Sequence, residues 1–263
     1  MLSTIFLKTL FEKRWTALWW TLSSIALTVF IVIFFPTLKD SFGEAVKNMP
    51  ESMRSLIGNV EDYQQLGGYL TVQVFQQMIF LPLILGVILC TGLLAGDENE
   101  GTLQTLLTHP ISRTKVYLHK LAASAVILWI VTFGFFAGSW IGSLLIGEYV
   151  DLWRLLQATF MAWLVGMVVS LIGFALAAIT GKRALAGSIA GAYAFVMYVI
   201  TSLVATVTVL KIPEYFSPFH YFNNPSPLKA AFDYGDMFVL LIASVIFIVL
   251  GYVLFIRRDI YQR

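Results

Sequence analysis

Apolar residues in this chain gather into six long runs, Trp15–Phe35, Tyr69–Ala95, Leu121–Ile146, Leu155–Ile179, Ala184–Leu210 and Met237–Ile256. None of the runs contains Asp, Glu, Lys, Arg or His. A helix rises about 1.5 Å per residue, so about 20 apolar residues cross a hydrocarbon core about 30 Å thick. Each run is long enough. The pattern predicts an all-α integral membrane protein of six transmembrane helices, a single domain over 1–263. The first run is too long for a signal-peptide core and lacks a small-residue cleavage site, which predicts a retained span. Only Thr180-Gly181-Lys182-Arg183 separates the fourth and fifth runs, so the turn there is tight.

The polar stretches have patterns of their own. Residues 2–14 put Leu2, Ile5, Phe6, Leu10 and Phe11 on one side and Lys8, Glu12 and Lys13 on the other. That spacing predicts an amphipathic helix lying along the inner membrane surface, or one that extends the first span. Segment 36–68 holds Pro36, Pro50 and Gly67-Gly68 as breaks around a short helix. Segment 211–236 is dense in aromatics and proline, as either a structured cap or a plain aromatic belt would be. Lys and Arg number 11 in the 50 positions of 1–14, 96–120, 180–183 and 257–263, against 6 in the 67 positions of the alternating segments. The excess of basic residues predicts that the first set is cytoplasmic and that both termini lie inside.

Composition narrows the function classes. The chain is 59% hydrophobic and 12% charged with a net charge of +2, so no basic surface points to nucleic acid. Its one cysteine, Cys90, lies in an apolar run, which excludes an internal disulfide framework or a cysteine-based metal site. Proton-coupled carriers need ionisable groups within the membrane, and these runs have none. His109, His119 and His220 fall outside the runs, so a span serine such as Ser139 has no in-span base. There is no G-x-x-x-x-G-K-[ST] phosphate loop, so any energy from ATP has to come from another polypeptide.

Small and polar residues inside the runs mark contacts. Gly134, Gly138 and Gly142 recur every four positions, and Gly187 and Gly191 repeat the spacing. Such stripes let helix backbones approach closely, within a subunit or across a dimer seam. Gln73, Gln76 and Gln77 cluster near the outer end of the second run, where their amides need protein or a wet cavity. A structural hydrogen-bonding role and substrate contact both fit.

The stretch between the second and third runs carries the most specific pattern. Thr102 caps a short helix whose apolar face is Leu103, Leu106 and Leu107, and Pro110 stops it, leaving His109 extended. Ser112 then caps the helix that carries Arg113 and Lys115 towards the membrane. The product is a stiff amphipathic knob beneath the bilayer, with acids on one side and bases on the other. These residues resemble the permease subunits of ABC-2-type ATP-binding-cassette exporters. In that family an acidic residue precedes Gly-Thr-Leu, then Leu-Leu, Pro-x-Ser-Arg and a membrane-proximal Lys. The matches are Glu98 and Glu100, Gly101-Thr102-Leu103, Leu106-Leu107, Pro110-Ile111-Ser112-Arg113 and Lys120. The interfacial first helix, the six spans and an outer Ser217-Pro218-Phe219 agree as well, while the larger 36–68 segment departs from the pattern.

The resemblance implies that residues 98–113 form the coupling helix that docks on a cytosolic nucleotide-binding subunit. It further implies two ATPase copies that hold the ATP and Mg, and a second permease copy or a sister permease. The chain itself would be non-catalytic and sit in the cell membrane, surrounded by lipid. It would export a lipophilic or amphipathic substrate. The residues themselves suggest that Gln73, Gln76 and Gln77 line the outer part of a cavity between two permeases, with segment 211–236, including Phe219 and Tyr221, as its lid. The rival readings are an ATP-independent channel or carrier, a membrane-embedded enzyme, and a non-transporting assembly or sensor subunit of the same fold.

Overall fold

The computed structural model describes residues 2–39, 65–99, 112–204, 207–223, 228 and 232–258. Among them are helices and turns but no strand. We label the helices α1 (Leu2–Glu12), α2 (Arg14–Ile33), α3 (Leu66–Asn99), α4 (Arg113–Ile146), α5 (Leu152–Thr180), α6 (Arg183–Leu203), α7 (Lys211–Glu214), α8 (Pro218–Asn223) and α9 (Tyr234–Arg257). Six of these, α2 to α6 and α9, are long and apolar enough to cross a membrane, at the places the apolar runs predict. The protein is an all-α multi-pass membrane protein. Its proximal end carries α1 and the C-terminus of α9, and its distal end carries α7 and α8.

The span α5 is the centre of the bundle, with 78% of its most apolar window buried, against 17–22% for α2, α6 and α9. It packs on α3, α4, α6 and α9. The outer spans instead turn wide apolar faces outward, such as Trp19 and Phe30 on α2 and Ile242, Val245 and Val249 on α9. Lipid can solvate those faces, so their exposure carries no penalty here. Several buried hydroxyls are satisfied within their own helices: Thr132 donates to Leu128 O, Thr159 to Leu155 O and Ser170 to Gly166 O, whereas the Thr28 and Ser139 hydroxyls are buried without a partner among the described residues.

Two left-handed glycines terminate helices. Gly147 (φ 72°) ends α4 and Gly181 (φ 63°) ends α5, each in a conformation that a side chain disfavours. Asp151 starts α5 by accepting from the Trp153 and Arg154 N–H groups. Together these residues set the tight connections between the central spans.

The three-glycine stripe of α4 forms its seam with α2. A methyl group at Gly134 would lie 2.9 Å from Ser24 Cβ, at Gly138 2.7 Å from Thr28 Cβ, and at Gly142 2.6 Å from Val32 Cβ. The seam is therefore inside the subunit. The stripe on α6 differs: Gly187 has Thr91 Oγ1 at 3.9 Å, and Gly191 has open space beside it.

The second span is less regular than its apolar run predicts. Wide π-type turns occupy Thr71–Gln76 and Gly92–Gly96, and regular α-helix resumes at Phe80, just ahead of Pro82. Proline has no N–H to continue a ladder, so the interruption falls where the ladder is already weakest. At the other end of the chain, α1 steps into α2 at Lys13 (φ −95°, ψ 6°) rather than running straight on. It buries Ile5 and Thr9, while Leu7 and Phe11 stay exposed. Arg14 stacks its guanidinium 3.5 Å above the Phe11 ring.

Candidate functional site

At the proximal end, α3 finishes with Asp97, Glu98 and Asn99, and α4 begins at Arg113. The candidate coupling residues Glu100, Gly101, Thr102, Leu103, Leu106, Leu107 and Pro110 lie between them, outside the described residues. The two roots of that segment are described in detail. Ser112 is extended (φ −69°, ψ 144°), and its Oγ accepts from the Lys115 N–H at 3.4 Å, capping α4.

Both roots are tied to the bundle by charge. The Lys120 ammonium, 3% exposed on α4, pairs with Asp97 and also donates to the Leu93 carbonyl in the wide turn of α3. A buried cation needs such partners, because burial strips it of water. One residue further along, Glu98 pairs with Arg258, just past the end of α9. Arg258 also donates to the Ala178 carbonyl at the end of α5 (3.0 Å). Arg113 completes the ring by donating to the Arg258 carbonyl (2.6 Å) and, at 3.4 Å, to the Ile256 carbonyl. The ends of four spans, α3, α4, α5 and α9, thus meet in one ionic clasp.

The clasp depends on the left-handed cap at Gly181. A methyl group there would collide with the Arg258 guanidinium and lie 2.8 Å from Glu98 Oε2. Arg183 lies over Gly92, its Cζ 3.5 Å from the place a methyl would take. Behind the charges stands a buried aromatic post. Tyr117 packs on Phe174 at 5.0 Å and on Tyr252 and Phe255 at 5.7 Å, and it donates to the Ile248 carbonyl at 2.9 Å. Thr114 and Tyr252 share a further hydrogen bond of 3.1 Å. These contacts join α4 to α9 along the first turns above the clasp.

The distal end has its own fixed cap. Ser217 is fully buried and bridges α6 to α8: its hydroxyl donates to the Met197 carbonyl (3.2 Å) and accepts from Thr201 (2.7 Å) and from the Phe219 N–H (3.3 Å). Tyr193 donates to the Phe216 carbonyl and Tyr221 to the Tyr215 carbonyl. Glu214 Oε1 lies 2.8 Å from His220 Nδ1, which is not aligned for a hydrogen bond. Burial, with the Asp236 carboxylate adding to it, raises the Tyr221 phenol above its ordinary value, so it stays protonated. Beneath this cap, between α6 and α9, lies a cavity of about 420 Å³.

Of the residues predicted for a substrate path, Tyr221 lines this cavity. Phe219 is buried behind it against Phe80 and Tyr198. Gln73 and Gln76 are half-buried and Gln77 is exposed on the interrupted part of α3, and none of the three lines the cavity. Of the predicted coupling residues, the clasp unites Glu98 and Arg113, and Ser112 sits beside them.

Arg258, Asp97 and Tyr117 were not singled out as site residues from the sequence. The signal for the first two was present in hindsight, as acids at the end of one span opposite bases at the ends of two others. Tyr117 carried no such signal, because an aromatic at a helix start is ordinary.

Comparison with known proteins adds the family. No curated protein matches the chain. A family profile described as ABC-2 family transporter protein matches residues 9–260, which takes in all six spans and both roots of the clasp. With that match over nearly its whole length, the chain belongs to the ABC-2 family of transporter proteins.

Proposed function

We propose that this chain is the transmembrane permease of an ABC-2-type exporter, working with a separate ATPase that docks on residues 98–113. The observation that carries the reading is the clasp: both roots of the docking segment are bonded to the ends of four spans at once. A push on that segment therefore reaches the bundle through ion pairs and hydrogen bonds rather than through a loose loop. The family match supports the permease role. The proximal end, which carries the basic excess, faces the cytoplasm of a cell-membrane protein.

In this account two ATPases and two permeases assemble, the second permease being a copy or a sister chain. ATP and Mg bind on the ATPases, whose closure displaces the docking segments. On each permease the displacement enters α3 through Asp97 and Glu98 and enters α4 through Arg113 and Lys120. Arg258 and Tyr117 carry it onward to α9, whose distal half walls the cavity. The transported substrate is lipophilic or amphipathic, which suits uncharged apolar runs and a cavity lined mostly by apolar side chains.

The test is co-purification followed by transport in reconstituted membranes. The reading expects the chain alone to hydrolyse no ATP and to acquire ATP-dependent export when its ATPase is added. Substrate movement by the isolated chain driven by an ion gradient would contradict it.

A further inference from the structure

The distal cavity has a volume within the range of small-molecule sites, about 300–1,000 Å³. Its walls are Val168, Met197, Leu240, Ala243 and Phe247, with the rings of Tyr193 and Tyr221 near the cap. Three other lining residues, Tyr215, Phe216 and Val239, are exposed, so the cavity opens to the outside of the bundle between the cap and α9.

The hydrogen-bonding state of the walls selects the guest. The Tyr193 proton is committed to the Phe216 carbonyl and the Tyr221 proton to the Tyr215 carbonyl, so the lining offers no free donor. A carboxylate or phosphate drawn inside would lose its water and find no donor in exchange. A hydrocarbon chain loses nothing.

Charge at the rim selects the head group. Asp236 lies three and four residues before Val239 and Leu240, on the face of α9 that walls the cavity. Its carboxylate acts electrostatically on Tyr221 and on His220. The rings of Tyr215 and Tyr221 stand 5.1 and 5.0 Å from that imidazole. The other acids here are engaged: Glu214 faces His220, and Asp233 accepts from the Gly235 N–H that starts α9. Asp236 is half-buried and has no hydrogen bond or ion pair among the described residues. Lys211, the one lysine or arginine among the described residues of this cap, is exposed at the start of α7.

We infer that this cavity binds a single-chain cationic amphiphile, its hydrocarbon chain between α6 and α9 and its ammonium head against Asp236. As the substrate class of the exporter it rests on the reading above; as a binding site it needs neither ATP nor a partner. The occupant enters sideways from the membrane, and its head stays at the rim where water is available. Anionic amphiphiles of the same length are rejected by Asp236 and by the lack of donors.

The experiment uses the full chain in phosphatidylcholine nanodiscs, without nucleotide. A dodecylamine carrying a photoactivatable diazirine on its chain is cross-linked, and the modified peptides are mapped by mass spectrometry. We expect label on α6 around Met197 and on α9 around Ala243. Dodecylamine should suppress it at least about ten-fold more effectively than dodecanoate, with dodecanol between them. Asp236→Asn should remove the advantage of the amine over dodecanol while chain labelling persists. Ala243→Trp should abolish labelling, and the smaller filling Ala243→Leu should reduce it, in protein that still elutes as wild type. Equal competition by amine and carboxylate, or labelling indifferent to both Ala243 changes, would overturn the assignment. Export of another substrate with no cavity labelling would also overturn it and leave the exporter reading standing. Labelling as expected, in a protein that no ATPase partner activates, would support the site and remove the exporter reading.

Discussion

Glu98 and Arg258 are 160 residues apart in sequence, yet they form the ion pair that closes the proximal end of the bundle. Their side chains are 16% and 20% exposed, so the pair is only partly screened by solvent. Because Arg258 also binds the Ala178 carbonyl and receives Arg113 on its own carbonyl, it meets α4, α5 and the end of α3 from the end of α9. The side chains of Arg258 and Arg113 thus link the two roots of the 98–113 segment to the last span.

Loss of that link should have a measurable cost. Arg258→Gln leaves Glu98 without its charged partner and should destabilise the detergent-solubilised protein by about 1.5–3 kcal/mol. The double exchange Glu98→Arg with Arg258→Glu should recover part of that loss in thermal unfolding. A double-mutant cycle with no coupling energy would show that the pair contributes nothing.

The seam between α2 and α4 gives a second expectation. At Gly138 an added methyl meets Thr28 Cβ at 2.7 Å and the Ile25 carbonyl oxygen at 2.9 Å. Gly138→Ala should therefore cost about 1–3 kcal/mol by overpacking. Gly191→Ala has open space and should be near neutral. Unfolding of the two variants under identical detergent conditions makes the comparison, and equal stabilities would contradict the seam.

Buried Lys120 gives the third. Replacing Asp97 by Ala leaves the ammonium with the Leu93 carbonyl as its remaining described partner. Removing one member of a buried pair costs about 3–5 kcal/mol, less here because Asp97 itself is 37% exposed. The Lys120→Met, Asp97→Ala double variant should be more stable than Asp97→Ala alone, as judged by the temperature of half-aggregation.

Membrane orientation is open to a labelling test. Single cysteines in place of Ala45 and Pro225 should react with an impermeant thiol reagent in intact cells. Those in place of Thr108 and Ile260 should react only after permeabilisation. Native Cys90 is buried, 1% exposed, and gives a silent background. External labelling at 108 or 260 would invert the topology and place the clasp on the wrong side for an ATPase.

The six spans were legible because a bilayer demands long uncharged runs, and nothing else in the chain offers them. The helix ends were less so. The third span begins at Arg113, eight residues before its apolar run, because Ser112 caps it there and because Asp97 lets Lys120 be buried. Glycine spacing found a true seam on α4 and an open surface on α6 with the same pattern, since spacing records what a helix permits and not what lies beside it. Close approaches at single glycines were invisible for the same reason. A methyl at Gly251 would lie 2.6 Å from the Tyr117 hydroxyl, and nothing in the sequence pairs those residues. In the sequence Arg258 is one of the basic residues of 257–263 that set the orientation, while its bonds to Glu98 and Ala178 exist only once four spans are assembled.

The central claim is that residues 98–113 carry the ATPase and transmit its work, and the double variant Leu103→Ala, Leu107→Ala tests it most directly. Each leucine, if fully buried against the partner, contributes roughly 1.5–3 kcal/mol of apolar contact. The variant should insert and fold as wild type, because neither leucine lies in a span. ATPase pull-down and substrate-stimulated hydrolysis, both measured in reconstituted membranes, should fall together. Retention of both at wild-type levels would contradict the account.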